Sequence, residues 1–147
     1  MRAESRPTVV SVNAGSVRTV VWGGRSITTG IFKSPVAGRV PLRGVNLLGD
    51  DQADREVHGG PDKAAYAYAI EDYAWWEEEL GRPLAAGTFG ENLTLRGVAV
   101  GAALVGERWR VGGAVLQVTA PRVPCYKLGM RMNDPEFPKR FARAQRP

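Results

Sequence analysis

The sequence predicts a mainly β fold of the α+β class, as a β-barrel or strongly curved sheet with one helical insertion. Short apolar and β-branched runs recur along the chain, separated by turns that 18 glycines and 10 prolines favour. A helical pattern is clear in only one place. With 147 residues, 44% of them hydrophobic and 24% charged, the chain has the size and composition of a single globular domain.

About eight short strands are expected. They are expected within ten runs of extended character, at residues 8–13, 17–22, 25–29, 31–35, 64–69, 93–95, 98–100, 103–105, 108–111 and 114–118. Glycine pairs separate the two runs of each predicted hairpin, and Gly23-Gly24 can adopt the positive φ angles of a two-residue turn. Residues 36–44 are rich in proline, glycine and arginine and are expected to form a loop before the segment 45–49.

The predicted helix lies near the middle of the chain. Tyr73, Trp76 and Leu80 form an apolar stripe at helical spacing, while the glutamates at 77–79 lie mostly on the outward side. Gly81 and then Pro83 end the helix. The run of glutamates is therefore interpreted as a solvated face and not as a site.

Charge and cysteine content limit the function classes. The net charge is +5, and from Arg122 onward seven lysines and arginines oppose two acids. We find no nucleic-acid-binding motif, so a small anionic ligand is preferred to a nucleic acid. One cysteine excludes an internal disulfide, and no run has the length of a signal peptide or a membrane span, so a cytoplasmic protein is expected.

The stretch 119–128 contains the only cysteine, Cys125. Pro121 and Pro124 exclude a helix interior or a central strand, so Cys125 is expected on a stiff loop after the strand 114–118. Arg122 and Lys127 favour its thiolate, the form needed by a soft metal ligand or a nucleophile. The alternative is that Cys125 is a small buried hydrophobic residue.

Two further stretches are candidates for ligand contact. Residues 50–63 hold the only histidine, His58, followed by Gly59-Gly60, whose amides can form an anion-binding nest, and by the cation Lys63. The alternative is a solvated turn. Residues 87–93 contain Asn92, which can recognise a heterocycle or a phosphoryl group, or can instead tie down a β-bulge or turn together with its neighbour.

Taken together and in order, these stretches resemble the molybdenum cofactor sulfurase C-terminal (MOSC) domain family, in particular its small stand-alone bacterial type, called YiiM-like. The matching segments are 49–54, 57–60 with Asp62-Lys63, 87–93 and 121–127. The resemblance runs from about Ser11 to the end of the chain. Any one segment alone would be a weak signal, whereas four in the same order are specific.

The resemblance implies a MOSC-type β-barrel with a pocket for the molybdenum cofactor (molybdopterin). Cys125 would be the metal-ligating or sulfur-bearing residue. Arg122, Lys63 and Lys127 would contact the pterin phosphate or substrate oxygens. His58, beside Gly59-Gly60, and Asn92 would line the pocket, with His58 the proton donor for catalysis.

The family resemblance also implies a molybdenum-dependent oxidoreductase that detoxifies N-hydroxylated bases such as 6-hydroxylaminopurine, with a separate electron-donor protein. A sulfur carrier in cofactor maturation and a non-catalytic ligand-binding module are the alternatives. The family's barrel continues beyond the segment that resembles residues 130–147. The chain is therefore expected to be a single domain, 1–147, that is either truncated at its C-terminal end or a minimal variant with an open barrel edge. Such an edge predicts instability or pairing into a homodimer.

Overall fold

The computed structural model describes residues 6–44, 46–52 and 63–147. In this part of the chain the fold is α+β, which confirms the predicted class. The strands are β1 (Thr8–Ala14), β2 (Arg18–Trp22), β3 (Arg25–Thr29), β4 (Ser34–Val36), β5 (Leu42–Arg43), β6 (Asn46–Leu47), β7 (Ala67–Ala69), β8 (Leu93–Arg96), β9 (Arg108–Val111) and β10 (Ala114–Gln117). The helices are α1 (Ile70–Leu80), α2 (Tyr126–Met132) and α3 (Phe137–Ala144).

A four-stranded mixed sheet organises the described fold, with strand order β4-β1-β8-β7. β1 is antiparallel to both of its neighbours, and Val12 lies opposite Val36 on one side and Leu93 on the other. β7 runs parallel to β8. A register shift between Val9 and Ser11 marks a bulge in β1. β8, the strand that follows the predicted stretch 87–93, is therefore one of the two central strands of the sheet.

Both predicted hairpins form. In β2–β3 the pairs run from Arg18 opposite Thr29 to Trp22 opposite Arg25, leaving Gly23 and Gly24 as the turn. Their φ angles are 55° and 74°, values that only glycine adopts without a steric penalty. The β9–β10 hairpin is closed by Gly112 and Gly113, of which Gly112 has a positive φ of 59°.

Helix α1 confirms the predicted stripe and stop signal. Tyr73 and Trp76 are its buried residues, and the acids Glu71 and Asp72 occupy its first turn, where the helix dipole favours negative charge. Gly81 ends the helix with φ 67° and donates its N–H to the carbonyl of Glu77.

An aromatic core joins all three helices to the sheet. Its buried members are Tyr68, Tyr73, Trp76, Phe89, Leu128, Met132, Phe137 and Phe141. The ring centroids of Tyr73 and Phe89 are 4.8 Å apart, and the rings of Trp76 and Phe141 stack at 5.9 Å. Because large aromatic side chains bury much apolar area, this cluster stabilises the packing of the helices on the sheet.

The structure differs from the sequence-based expectation in three regions. Residues 36–44 were expected to form a loop, but Leu42–Arg43 form β5, which pairs with β6. Residues 98–105 were expected to supply two strands, but they contain a 3-10 turn at Val100–Ala102 between irregular segments. Helices α2 and α3 were not expected. Gly129 allows them to approach closely, since a Cβ atom there would lie 2.8 Å from the carbonyl oxygen of Asp134.

Candidate functional site

Asp50 is a buried junction between segments that are distant in sequence. Its Oδ1 atom accepts hydrogen bonds from the backbone N–H of Gly15 (2.9 Å) and from Lys33 Nζ (2.6 Å), and its Oδ2 atom accepts from Asn92 Nδ2 (2.9 Å). The Lys33 and Asp50 side chains are only 9% and 2% exposed. The predicted stretches 50–63 and 87–93 therefore meet at Asp50.

The loop before β8 packs tightly on the segment between β3 and β4. Gly87 has φ 87° and Gly90 has φ 81°, so both adopt left-handed backbone conformations. A Cβ atom at Gly87 would lie 2.7 Å from the Lys33 carbonyl oxygen, and one at Gly90 would lie 2.9 Å from Ile31 Cγ1. Both glycines are thus required by the fold of this loop.

The side chain of Asn92 forms hydrogen bonds to other groups of the protein. Its Oδ1 accepts the backbone N–H of Tyr66 (3.0 Å), while its Nδ2 donates to the Asn13 carbonyl (3.3 Å) and to Asp50. These bonds connect β1 to the segment that leads into β7. They agree with the interpretation in which Asn92 ties down a turn, and its contact with a ligand stays a prediction.

Glu91 is fully buried beside Asn92. Tyr73 Oη donates to its Oε1 (2.9 Å) and Thr94 Oγ1 donates to its Oε2 (3.0 Å). Burial raises the pKa of Glu91 above its usual value, and these hydrogen bonds offset part of that effect. Burial likewise raises the pKa of Tyr73.

Arg122 links the cysteine-containing stretch to the loop before β8. Its Nη1 donates to the carbonyl of Phe89 (2.6 Å), and its guanidinium lies 5.0 Å from the ring centroid of Tyr66 and 5.7 Å from that of Phe141. Cation–π contacts of this kind hold a guanidinium in place without neutralising its charge. Two predicted stretches, 87–93 and 121–127, are therefore joined at Arg122.

A cavity of about 330 Å³ lies beside Arg122. Its polar lining includes Tyr66, Gln117 and Arg122, and its apolar lining includes Leu93, Trp109 and Leu116. The hydroxyl of Tyr66 is buried, with the side chain of Arg122 close to it. Its volume and its mixed polar and apolar lining fall within the range of small-molecule sites.

A second, larger groove of about 1070 Å³ runs along β1, β4 and the β9–β10 hairpin. Apolar side chains such as Val10, Val36 and Leu116 line most of it, with Arg39 and Arg43 also present. None of the described site residues predicted from the sequence contributes to this groove.

The remaining predicted residues have different positions. Cys125 is a free, half-buried thiol immediately before α2, and its carbonyl accepts the N–H of Leu128 (3.0 Å). Lys127 is half-buried in the first turn of α2. Lys63 is exposed, and its carbonyl accepts a bond from Gln52 Nε2 (3.1 Å). His58, Gly59 and Gly60 lie outside the described residues.

The cavity lining includes Arg122 but not Cys125. In the described ranges, no group of three or more His, Cys, Asp or Glu side chains is arranged to hold a metal ion. No helix in those ranges is long and apolar enough to cross a membrane.

Sequence reasoning did not single out Lys33, Asp50 or Tyr66. Asp50 was included in a stretch recognised for its polar density, but its importance depends on Lys33, which is 17 positions away. Tyr66 was interpreted as part of an alternating strand. No local pattern marks the contact of the Tyr66 ring with Arg122, because that contact arises only from tertiary packing.

Comparisons with known proteins place this site in a family context. The MOSC domain model matches residues 54–147. YflK, an uncharacterised protein of Bacillus subtilis, is 44% identical over 134 residues, 91% of this chain and 61% of that protein. YiiM of Escherichia coli is 38% identical over 122 residues, 81% of this chain and 53% of YiiM. A protein of Gibberella moniliformis named Reductase is 32% identical over 142 residues, 94% of this chain and 25% of that protein.

Solved structures show the same relationship. The crystal structure of YiiM from Geobacillus stearothermophilus superposes with a TM-score of 0.70 at 34% identity, covering 95% of this chain and 64% of that chain. YiiM from Escherichia coli gives a TM-score of 0.63 at 30% identity, covering 80% of this chain and 55% of that chain.

The chain belongs to the MOSC domain family. Within that family it is of the stand-alone YiiM-like type, as its similarity to YiiM in both sequence and structure shows. It spans between about half and two thirds of the length of these bacterial relatives.

Proposed function

We propose that this protein binds a molybdenum cofactor and reduces N-hydroxylated compounds, with hydroxylated purine bases as the substrate class. Membership of the MOSC family supports the cofactor, and the protein named Reductase, among the similar proteins, supports the reaction type. The observation that carries the proposal is the bond from Arg122 to Phe89, because it brings the Cys125 stretch and the loop before β8 together beside a cavity.

The chemistry of the available donors fits an anionic, sulfur-rich cofactor. Cys125 offers one soft thiol at the end of a stiff loop, and soft ligands of this kind suit molybdenum better than carboxylates do. Arg122 lines the cavity as a permanent cation, held by its aromatic neighbours. Arg122 and Lys127 would bind phosphate or substrate oxygens, with Lys63 contributing from the end of the stretch 50–63.

When bound, the cofactor would supply the two-electron chemistry of N–O bond cleavage. The protein would bind and orient the substrate and deliver protons. His58 is proposed as the proton donor, because it is the one histidine in the sequence and imidazole titrates near neutral pH. Electrons would come from a separate donor protein.

Metal analysis is the first test. The protein is expressed in a host that makes the molybdenum cofactor, and molybdenum per protomer is compared among the wild type, Cys125→Ala and Cys125→Ser. Tyr126→Phe, a change at the adjacent residue, is the matched control. We expect near-stoichiometric molybdenum in the wild type and the control, and little in either Cys125 variant.

Reductase activity is then measured on 6-hydroxylaminopurine with a chemical electron donor. Loss of turnover in His58→Gln with molybdenum retained would support the proton-donor role. Well-folded wild-type protein that contains no molybdenum would contradict the proposal. An extra sulfur atom on Cys125 in the mass spectrum of such a protein would favour the sulfur-carrier alternative.

A further inference from the structure

Two arginines from distant parts of the chain lie against one aromatic ring. The guanidinium carbon of Arg18, in β2, is 3.8 Å from the ring centroid of Phe32, and that of Arg131, in α2, is 5.4 Å from the same centroid. Phe32 is half-buried in the segment between β3 and β4. The fold therefore brings two positive charges together at this ring.

This pair differs from the other arginines that lie over rings in the described structure. Arg122 donates to a backbone carbonyl, and Arg146 forms an ion pair with Asp72. No described residue forms an ion pair with Arg18 or Arg131, and the buried Nε of Arg131 has no hydrogen-bond partner there. Two cations thus share a ring without a counter-ion from the described part of the chain.

The surroundings of Arg131 make this uncompensated charge unfavourable. Burial lowers the pKa of its guanidinium, and the positive charges of Arg18 and Arg82 act in the same direction. Tyr73 and Glu91 act in the opposite direction, but the carboxyl oxygens of Glu91 accept from hydroxyl groups and bond no arginine. Since a guanidinium stays protonated at neutral pH, the excess of positive charge remains.

An anion in contact with both guanidinium groups would offset this excess. Stacking on a ring leaves the N–H groups in the guanidinium plane available, and these groups bind phosphate through pairs of parallel donors. Arg18 is exposed, and in the half-buried Arg131 the buried nitrogen is Nε, so the outer Nη groups of Arg131 would meet the ligand. The neighbouring Lys33 is already paired with Asp50.

We infer that Arg18 and Arg131, held by the ring of Phe32, form a binding site for the phosphate group of a small phosphate monoester. Two cations match the dianion of a monoester better than the single charge of a phosphodiester. The inference is independent of the proposed function, because none of the residues proposed to bind the cofactor or the substrate belongs to this site.

The test measures binding of methyl phosphate and of dimethyl phosphate by calorimetry, in buffer free of phosphate and sulfate. The proteins are the wild type, Arg18→Gln and Arg131→Gln. Arg25→Gln is the matched control, because Arg25 is an exposed arginine in the same hairpin as Arg18 and lies over no ring in the described structure.

We expect each variant of the pair to weaken methyl phosphate binding about tenfold or more, as loss of a hydrogen bond to a charged group does. Arg25→Gln should bind as the wild type does. Dimethyl phosphate, which has one charge, should bind the wild type about tenfold more weakly than methyl phosphate. Because Arg18 is exposed, its variant is expected to fold, and it tests the site even where Arg131→Gln does not fold.

Thermal unfolding provides a second readout. A ligand that binds only the folded state raises the melting temperature, so methyl phosphate should stabilise the wild type and Arg25→Gln more than Arg18→Gln. Equal affinity for methyl phosphate in the wild type and a folded Arg18→Gln variant would overturn the inference. Absence of binding to the wild type, or equal affinity for the monoester and the diester, would also overturn it.

Discussion

Glu91 shows how a single buried carboxyl group responds to its surroundings. Two hydroxyl groups donate to it, one from Tyr73 and one from Thr94, and it is fully buried. Burial raises its pKa above the ordinary value of 4.5, because the charged form loses hydration that the two hydrogen bonds replace only in part. Since the folded state then holds the proton more tightly than the unfolded state does, this residue makes stability depend on pH.

We expect the wild type to lose stability relative to Glu91→Gln as the pH rises. A raised folded-state pKa contributes stability that is fully present below the unfolded pKa, near 4.5, and is lost as the pH rises through the folded pKa. Glutamine cannot ionise, so the variant lacks this contribution. Urea unfolding of both proteins from about pH 4 to about pH 8 measures the difference, because other titrating groups cancel. A difference in unfolding free energy that does not change with pH would contradict the expectation.

Asp50→Asn should destabilise the protein strongly. The substitution leaves Lys33 as a buried cation without its counter-ion. Asp50 accepts from donors on both of its oxygens, so the NH2 group of an asparagine there would face either Asn92 Nδ2 or the donors of Lys33 and Gly15, whichever way the amide turns. Breaking a buried pair in this way costs about 3–5 kcal/mol.

Chemical denaturation compares Asp50→Asn with Glu136→Gln as the matched control. Glu136 pairs with Lys139 at 3.0 Å, but both side chains are 67% exposed. Loss of that surface pair should change the unfolding free energy by less than about 1 kcal/mol. Similar losses in the two variants would show that the buried pair contributes little.

At the scale of secondary-structure elements, the loop before β8 depends on the space around its glycines. Gly87 and Gly106 have similar backbone conformations, with φ 87° and 92°. A Cβ atom at Gly87 would meet the Lys33 carbonyl oxygen at 2.7 Å, whereas one at Gly106 would have no atom within 4 Å. The two positions therefore separate backbone strain from a steric clash.

We expect Gly106→Ala to cost about 1–2 kcal/mol, the penalty for a left-handed conformation at a residue with a Cβ atom. Gly87→Ala should cost about 3 kcal/mol or more, because the clash with backbone adds to the same strain. Thermal and urea unfolding of both variants provide the comparison. Equal losses would indicate that the segment 31–33 moves freely to accommodate the methyl group.

The elements that sequence reasoning predicted correctly have local causes. The hairpin turn at Gly23-Gly24 and the end of α1 at Gly81 are marked by glycines that the structure holds at positive φ.

Helices α2 and α3 have only seven and eight residues, and α2 buries Leu128, Gly129 and Met130 in succession. Because α2 is buried on most of its surface and is only two turns long, it has no readable periodicity, and packing decides its conformation. In α3 the buried residues Phe137 and Phe141 do have helical spacing, but eight residues hold only this one pair.

At the scale of the whole molecule, the sequence predicted which segments contribute to the candidate site but not how they are arranged in space. The stretches 87–93 and 121–127 were singled out by composition, and Arg122 bonded to Phe89 joins them. The inward-facing bonds of Asn92 agree with the structural alternative that the sequence left open. The contact between the Tyr66 ring and Arg122 depends on the positions of distant residues and has no local signal.

The C-terminal residues connect the end of the described chain to the core around α1. The Arg146 carbonyl accepts a hydrogen bond from Tyr68 Oη (2.8 Å), while Arg146 Nη1 bonds Asp72 (2.6 Å) and its guanidinium lies 4.6 Å from the ring centroid of Trp75. Tyr68 Oη in turn accepts from Trp76 Nε1 (3.0 Å). The backbone of Arg146 is therefore the terminal member of a hydrogen-bond chain that enters the aromatic core.

Removal of residues 146–147 should destabilise the protein more than Arg146→Ala does. The alanine variant keeps the carbonyl that accepts from Tyr68 and loses only a partly exposed ion pair and a ring contact, which contribute about 1 kcal/mol together. The deletion also leaves the hydroxyl of the buried Tyr68 without its acceptor, a further cost of about 1–3 kcal/mol. Urea unfolding of the two variants, with Arg143→Ala as the control for an exposed arginine, measures the difference. If the deletion and Arg146→Ala have the same unfolding free energy, the side chain of Arg146 and not its carbonyl stabilises this end of the core.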